Sequence, residues 1–439
     1  MIEYLVEENR ALREQMGHRR LSHHAEVKIS ENFPLECTFI MLLTPSCERQ
    51  CIYDLLPNRI HARNWRFSMP NLSKRRMHLL LGVLTVATAL TGGLYAQRGG
   101  QTAATQPSGP RPSTAPPLVP VRLNVDGNFR IAPPYAPDPA FSEKPNVAKG
   151  RVMRFTMNSA ESKLFPTAPV GGGRGARAGG DAPAGPPQHQ TFERQVAVYI
   201  PPGYIPNAPA PFIVVQDGQG YISDAPVTDR AFMPPMLDNL IQEKRIPPIV
   251  AVFVAPGPGG QRTIEYDTVS DRYTNFIETE VLPRITRDYQ VAFTTDPEGR
   301  ATFGVSSGAA AALTMAWLHP NLYHRVVSYS GTFVALQRNV TAPNGAWDFH
   351  QTFIPNSERK PLRIWLHVSE NDLGATSPAE QMRNWVIANN RMTEVLKAKG
   401  YPYQFVFSEA AGHVDQRVQL QTMPEAFEWV WKGYTPSGK

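Results

Sequence analysis

One short stretch restricts this chain more than any other: a strand that turns into a helix through a serine flanked by glycines. Residues Ala301-Thr302-Phe303-Gly304-Val305-Ser306-Ser307-Gly308 read as a strand entering Gly-x-Ser-x-Gly, and Ala309-Ala310-Ala311-Ala312-Leu313-Thr314-Met315-Ala316-Trp317-Leu318 continue as a helix rich in small residues. A serine at such a turn is forced into a cramped backbone that lifts its hydroxyl above the sheet. Glycines two residues before and after let strand and helix approach closely. Ser306 is therefore the candidate nucleophile, set against the plain alternative of a serine in an ordinary strand-to-helix turn.

The segments around it fit a covered sheet. Residues 150–157 and 191–200 carry apolar side chains at alternate positions, as half-buried strands do. Residues 211–216 and 248–254 are nearly continuous apolar runs, the pattern of parallel strands covered on both faces. Helical patterns lie at 236–243 and 273–289, and a last helix is expected around 424–431. The predicted class is α/β, with a mainly parallel central sheet flanked by helices in the α/β-hydrolase arrangement.

An activated serine needs a base to take its proton and an acid to hold that base. In this fold they follow in the order Ser, then Asp or Glu, then His. Residues 362–368 form a strand that runs into Ser369-Glu370-Asn371-Asp372, which makes Asp372 the candidate acid and Glu370 its nearest rival. The strand at 403–407 leads through Ser408-Glu409-Ala410-Ala411-Gly412 to His413, the candidate base; His319, His324 and His367 fall in or beside regular elements and read as structural. Ester cleavage also passes through an oxyanion that N–H donors must meet. The amide of Ser307 supplies one; the second is expected from Asp217-Gly218-Gln219-Gly220, from Gln219 or alternatively Gly218.

Val214-Val215-Gln216-Asp217-Gly218-Gln219, Arg262-Thr263-Ile264-Glu265-Tyr266, Glu280-Val281-Leu282-Pro283, the stretch around Ser306, Tyr329-Ser330-Gly331-Thr332-Phe333 and Gly412-His413 together resemble the enterochelin esterase and esterase D-like family over about residues 145–435. The resemblance implies an α/β-hydrolase that cleaves carboxylic esters with Ser306, Asp372 and His413, without a metal or other cofactor. It implies that Arg262 and Glu265 face the substrate, the other reading being an ordinary surface ion pair. Ala309 departs from the pattern, since the family usually carries a second glycine there. The expected substrate is a small-molecule or polysaccharide-linked ester: a siderophore lactone, a feruloyl or acetyl group on carbohydrate, or another extracellular ester. Transfer of the acyl group to an acceptor other than water is the alternative chemistry, and a non-catalytic binding module on the same fold is a further one.

Composition bears on the flanks. The 42 prolines and 32 glycines show that part of the chain is not packed. A basic start at Lys74-Arg75-Arg76, an apolar run over 77–96 and a small residue at Ala96 read as a secretory signal peptide spanning 69–96, so the expected location is secreted or periplasmic, with no membrane span after cleavage. Residues 1–68 then read as a non-functional extension or mis-called start. Their first sixteen residues resemble the opening helix of insertion-sequence integrases, but no acidic catalytic set follows. Residues 97–140 are expected to be a Pro/Gly-rich disordered linker, residues 141–435 the esterase domain, and 171–187 a disordered insert within it. The three cysteines, Cys37, Cys47 and Cys51, all precede residue 60, without the partners a zinc site needs. The net charge of +6 comes from scattered Lys and Arg and points to no nucleic-acid partner. The oligomeric state is not legible.

Overall fold

The computed structural model describes residues 116–122, 124–170, 188–222 and 232–435. The expected N-terminal extension (1–68), signal peptide (69–96), first part of the linker and insert at 171–187 lie outside the described residues. Nine strands pair in one sheet: β1 Gly127–Ile131, β2 Arg151–Asn158, β3 Glu193–Ile200, β4 Phe212–Gln216, β5 Val250–Val254, β6 Arg300–Val305, β7 Arg325–Tyr329, β8 Arg363–Asn371 and β9 Tyr403–Gly412. Their spatial order is β1-β9-β8-β7-β6-β4-β5-β3-β2. All neighbours from β1 across to β5 in this order run parallel, and β3 runs antiparallel to both of its neighbours, β5 and β2. The C-terminal ends of β4, β6, β7, β8 and β9 therefore open onto one edge, where open parallel sheets carry their sites.

Every residue of β4 and β5 is buried, which is why both segments read as nearly continuous apolar runs. Alternate side chains enter two separate cores. Ile213, Val215, Phe303 and Trp365 pack with helices α1 Met233–Gln242 and α7 Gln416–Trp431. Val214, Val252 and Ile364 pack on the other face, against α2 Gln261–Tyr266, α3 Arg272–Phe276, α4 Leu282–Tyr289, α5 Ser307–Leu318 and α6 Trp385–Ala398. The result is the three-layer α/β arrangement expected, with a mainly parallel sheet between helices.

Two expectations need correction. The linker does not extend to residue 140: β1 pairs along its whole length with β9, and Phe129 and Ile131 are buried. Its hydrogen bonds come from a strand about 275 positions later, so local composition carries no sign of them. The last helix begins at Gln416 and contains Pro424 in its interior rather than starting there. Proline removes the N–H that would bond to the carbonyl four residues earlier, and the freed Leu420 carbonyl accepts the N–H of Asp138 at 2.9 Å instead.

An ion pair is sealed inside the second core. Arg194, 2 % exposed, donates to both carboxylate oxygens of Glu265 at 2.6 and 2.8 Å and to the Ala255 carbonyl at 2.7 Å. Phe276 and Phe192 stand against the guanidinium. Removing one member leaves a charge buried without compensation. Glu265→Ala is therefore expected to destabilise the protein by about 3–5 kcal/mol, read as a lowered urea midpoint; a midpoint equal to that of the parent would contradict the burial of this pair.

Candidate active site

The turn after β6 has the strain that its sequence predicts. Ser306 sits at φ 55° and ψ −124°, a positive-φ conformation that costs a non-glycine residue energy. A Cβ on Gly304 would lie 2.1 Å from the carbonyl carbon and oxygen of Gly308, so strand and helix touch backbone to backbone here. The Ser306 N–H donates to Tyr329 O at 2.9 Å, and its carbonyl accepts from Ala309 N–H at 3.0 Å and Thr332 N–H at 3.1 Å. Bonds from two directions hold the turn, and Ser306 remains half-buried. The Ala309 methyl is fully buried in α5.

β8 extends three residues beyond its expected end, and Asp372 follows it directly. β9 likewise continues to Gly412, with His413 next. Between the Ser369–Ser408 and Asn371–Gly412 pairs the register shifts, and Ala410 takes φ 50°. Such a bulge bends a strand and redirects the residues beyond it. His413 Nε2 lies 2.9 Å from Ser306 Oγ, and Nδ1 lies 2.6 Å from Asp372 Oδ1. The Asp372 side chain is wholly buried. Burial pushes its pKa up, but hydrogen bonds from His413, Ser330 and the Leu373 amide outweigh that and hold it below the usual carboxylate value. An ionised carboxylate only accepts, so Nδ1 carries the proton and Nε2 presents a lone pair to the Ser306 hydroxyl. Glu370, the rival acid, is exposed and accepts the Ala410 N–H at 2.8 Å.

The loop behind β7 contributes residues to which the sequence pattern assigns no role. Ser330 donates to Asp372 Oδ2 at 2.7 Å. Thr332 Oγ1 lies 3.5 Å from Ser306 Oγ and accepts the indole N–H of Trp385 at 3.2 Å. The Trp385 ring stands edge-on to His413, centroids 6.2 Å apart. The available signal is Ser330 and Thr332 themselves, two hydroxyls placed just behind an apolar strand within one of the stretches that carry the family resemblance.

The candidate oxyanion donors lie at the start of α5 and in the turn after β4. Ser307 opens α5, and the first amides of a helix have no partner within it. Gly218 and Gln219 open a single helical turn, Gly218–Tyr221, behind Asp217 at φ 55°. A Cβ on Gly218 would come within 2.5 Å of Phe253 Cα and Val254 N, so this turn lies directly on β5, while Gln219 is exposed. A cleft of about 600 Å³ borders Gln219, lined also by Arg154, Thr156, Gln195, Ile222 and Phe253.

Of the two residues expected to face the substrate, the structure corrects one. Glu265 is buried against Arg194, with no exposed side-chain surface. Arg262 is partly exposed, but Nε and Nη2 both donate to Asp217, at 2.8 and 2.7 Å. Nearby Asp267 is buried, accepts from the Ser307 hydroxyl at 3.1 Å, and leaves Oδ1 without a hydrogen-bond partner among the described residues.

Burial pushes the Asp267 pKa up to about 7; the Ser307 hydrogen bond and the Arg262 charge oppose this, and Asp217 adds to it. A carboxyl that holds its proton to higher pH in the folded state binds more protons folded than unfolded between about pH 4 and 7, so its contribution to stability falls as pH rises through that window. Asp267→Asn should therefore gain stability over the parent progressively from about pH 4 to 7, by up to roughly 4 kcal/mol, then hold that gain at higher pH. Thermal midpoints of both proteins across this range test it, and a pH-independent difference would contradict a protonated Asp267.

A protein-family model described as putative esterase matches residues 190–423, a little over half the chain. No curated protein matches this chain. Solved structures with similarity include an enterobactin esterase from Shigella flexneri, at 18 % identity over 55 % of this chain and 56 % of that one, with a TM-score of 0.43. The same enzyme in the presence of enterobactin gives 16 % identity over 66 % and 60 %, with a TM-score of 0.46. A ferulic acid esterase from the anaerobic fungus Anaeromyces mucronatus gives 16 % identity over 68 % and 95 %, with a TM-score of 0.45. The chain thus spans 56–60 % of the enterobactin esterase's length in these matches.

Proposed function

The chain belongs to the putative esterase family, and we propose that it hydrolyses carboxylic esters by way of an acyl-enzyme formed on Ser306. The carrying observation is the unbroken chain of short contacts from Ser306 Oγ through His413 to Asp372, at 2.9 and 2.6 Å. In the first step Ser306 Oγ attacks the ester carbonyl as its proton passes to His413 Nε2. The carbonyl π pair moves onto oxygen, and the amides of Ser307 and of Gln219 or Gly218 receive the resulting charge. Collapse expels the alcohol, which takes the proton from His413. Water then repeats the sequence in reverse, with His413 as base, to release the acid. Asp372 keeps the imidazole in the tautomer this requires.

The substrate proposal follows from the same surroundings. A siderophore ester or an acyl group carried on carbohydrate would extend from Ser306 past Gln219 towards the cleft, where Arg154, Thr156 and Gln195 offer polar groups beside Phe253 and Ile222. An enzyme acting on such esters outside the cytoplasm fits the signal-peptide reading of residues 69–96, with the folded part beginning by β1 at Gly127. The same site can pass the acyl group to a sugar hydroxyl in place of water, and product analysis with sugar acceptors separates the two outcomes.

Ser306→Ala should lower turnover of p-nitrophenyl acetate and butyrate by roughly 10⁴- to 10⁶-fold. Asp372→Asn, which keeps the shape but frees the imidazole tautomer, should lower kcat on the order of 10⁴-fold. Parent-level hydrolysis by either purified variant would contradict its proposed part.

A further inference from the structure

Helix α2 makes three contacts with the two backbone segments that hold the candidate oxyanion donors. Arg262 grips the Asp217 carboxylate with a two-pronged fork. The Tyr266 hydroxyl accepts the Asp217 N–H at 3.2 Å and lies 3.5 Å from the Val254 carbonyl. Asp267, capping the helix, accepts the Ser307 hydroxyl. Asp217 immediately precedes Gly218 and Gln219, and Ser307 itself bears the other donor. Arg262 Nη2 also comes within 3.5 Å of Val305 O, the residue before the candidate nucleophile.

A helix of six residues has little stability of its own. It is fixed from behind by the Arg194–Glu265 pair, with the Gly257 N–H also directed at Glu265 at 3.3 Å. The spacing Arg262-x-x-Glu265 thus places an anchor and a grip on one short helix. The closeness of the gripped parts gives this consequence: a Cβ on Gly308 would lie 3.2 Å from Asp217 Oδ2 and 3.0 Å from Gln216 Cβ. The turn and the start of α5 stand against each other, and a small shift of Asp217 moves one donor relative to the other.

We propose that α2 is the positioning element of the oxyanion site, in which Arg262 and Tyr266 fix the Gly218–Gln219 amides and Asp267 fixes the Ser307 end. This rests on the esterase reading above. Arg262 and Tyr266 are positioning residues: they act on the transition state through the aligned amides and touch neither acyl nor alcohol group. Asp217 in its left-handed conformation holds only while both of its restraints are present, because a non-glycine residue does not favour that geometry unaided.

The test compares the parent, Arg262→Lys, Tyr266→Phe and Ser306→Ala. It uses p-nitrophenyl acetate kinetics and the affinity for an aryl trifluoromethyl ketone, whose adduct with a serine bears an oxyanion. Arg262→Lys keeps the charge and loses the fork; its kcat should fall roughly 10- to 100-fold with KM within about twofold, and ketone affinity should weaken by the same factor as kcat/KM. Tyr266→Phe should shift both quantities in the same direction by a smaller factor with an unchanged thermal midpoint. If Arg262→Lys does not fold, Tyr266→Phe decides the matter alone. Parent-level kcat and ketone affinity in the folded variants would overturn the proposal while an inactive Ser306→Ala leaves the esterase reading standing. A loss of kcat with unchanged ketone affinity would also overturn it. Parent-level turnover by Ser306→Ala would instead remove the reading on which the proposal rests.

Discussion

Strand β6 and helix α5 meet backbone against backbone at Gly304 and Gly308, with no room for a side chain at the strand position. That contact forces Ser306 into a positive-φ conformation, and the rest of the site is arranged around the hydroxyl it lifts out. Strain of this kind persists only where surrounding bonds over-determine it. Here Tyr329 O takes the Ser306 N–H, while Thr332 and the first amides of α5 take its carbonyl. The parallel sheet supplies the remaining parts without further invention. Parallel strands end on one edge, so loops far apart in sequence bring the candidate oxyanion turn, the candidate nucleophile, the hydroxyls of Ser330 and Thr332, and the candidate acid and base to that edge.

Electrostatics then separates the roles. Asp372 loses its hydration but gains donors from His413, Ser330 and the amides of Leu373 and Ser369, and the donors win, so it stays charged beside His413. Asp267 loses its hydration with one hydroxyl donor and no partner on its second oxygen among the described residues, so it retains its proton to about pH 7. The two buried carboxyls thus shift in opposite directions because one is surrounded by donors and the other is not.

Much of this is legible in the chain. Gly-x-Ser-x-Gly between an apolar strand and an alanine-rich helix exposes Ser306, because the geometry demands glycine at Gly304 and leaves little room at Gly308. Asp372 and His413 are legible as polar residues just beyond predicted strands, in the order the fold requires. The contacts that join Asp372 to His413 and His413 to Ser306 are not, since they depend on a register slip between β8 and β9 that no local pattern records. Glu265 escapes a sequence reading for a similar reason: its partner is Arg194, 71 residues earlier, and a Glu on a short polar-looking helix reads as surface until that pairing is known. β1 reads as linker because five residues of ordinary composition become a strand only when β9 offers an edge. The Arg262–Asp217 fork, spanning 45 residues, is hidden in the same way.

All of the proposed chemistry depends on His413, oriented by Asp372, activating Ser306. A fluorophosphonate bonds to an activated serine and to little else, so the site and rate of its adduct, located by peptide mass spectrometry, report on that activation without an intermediary. A single adduct is expected on the peptide carrying Ser306, formed quickly in the parent and far more slowly in His413→Ala. An adduct on another residue, or labelling of Ser306 at the same rate without His413, would contradict this mechanism.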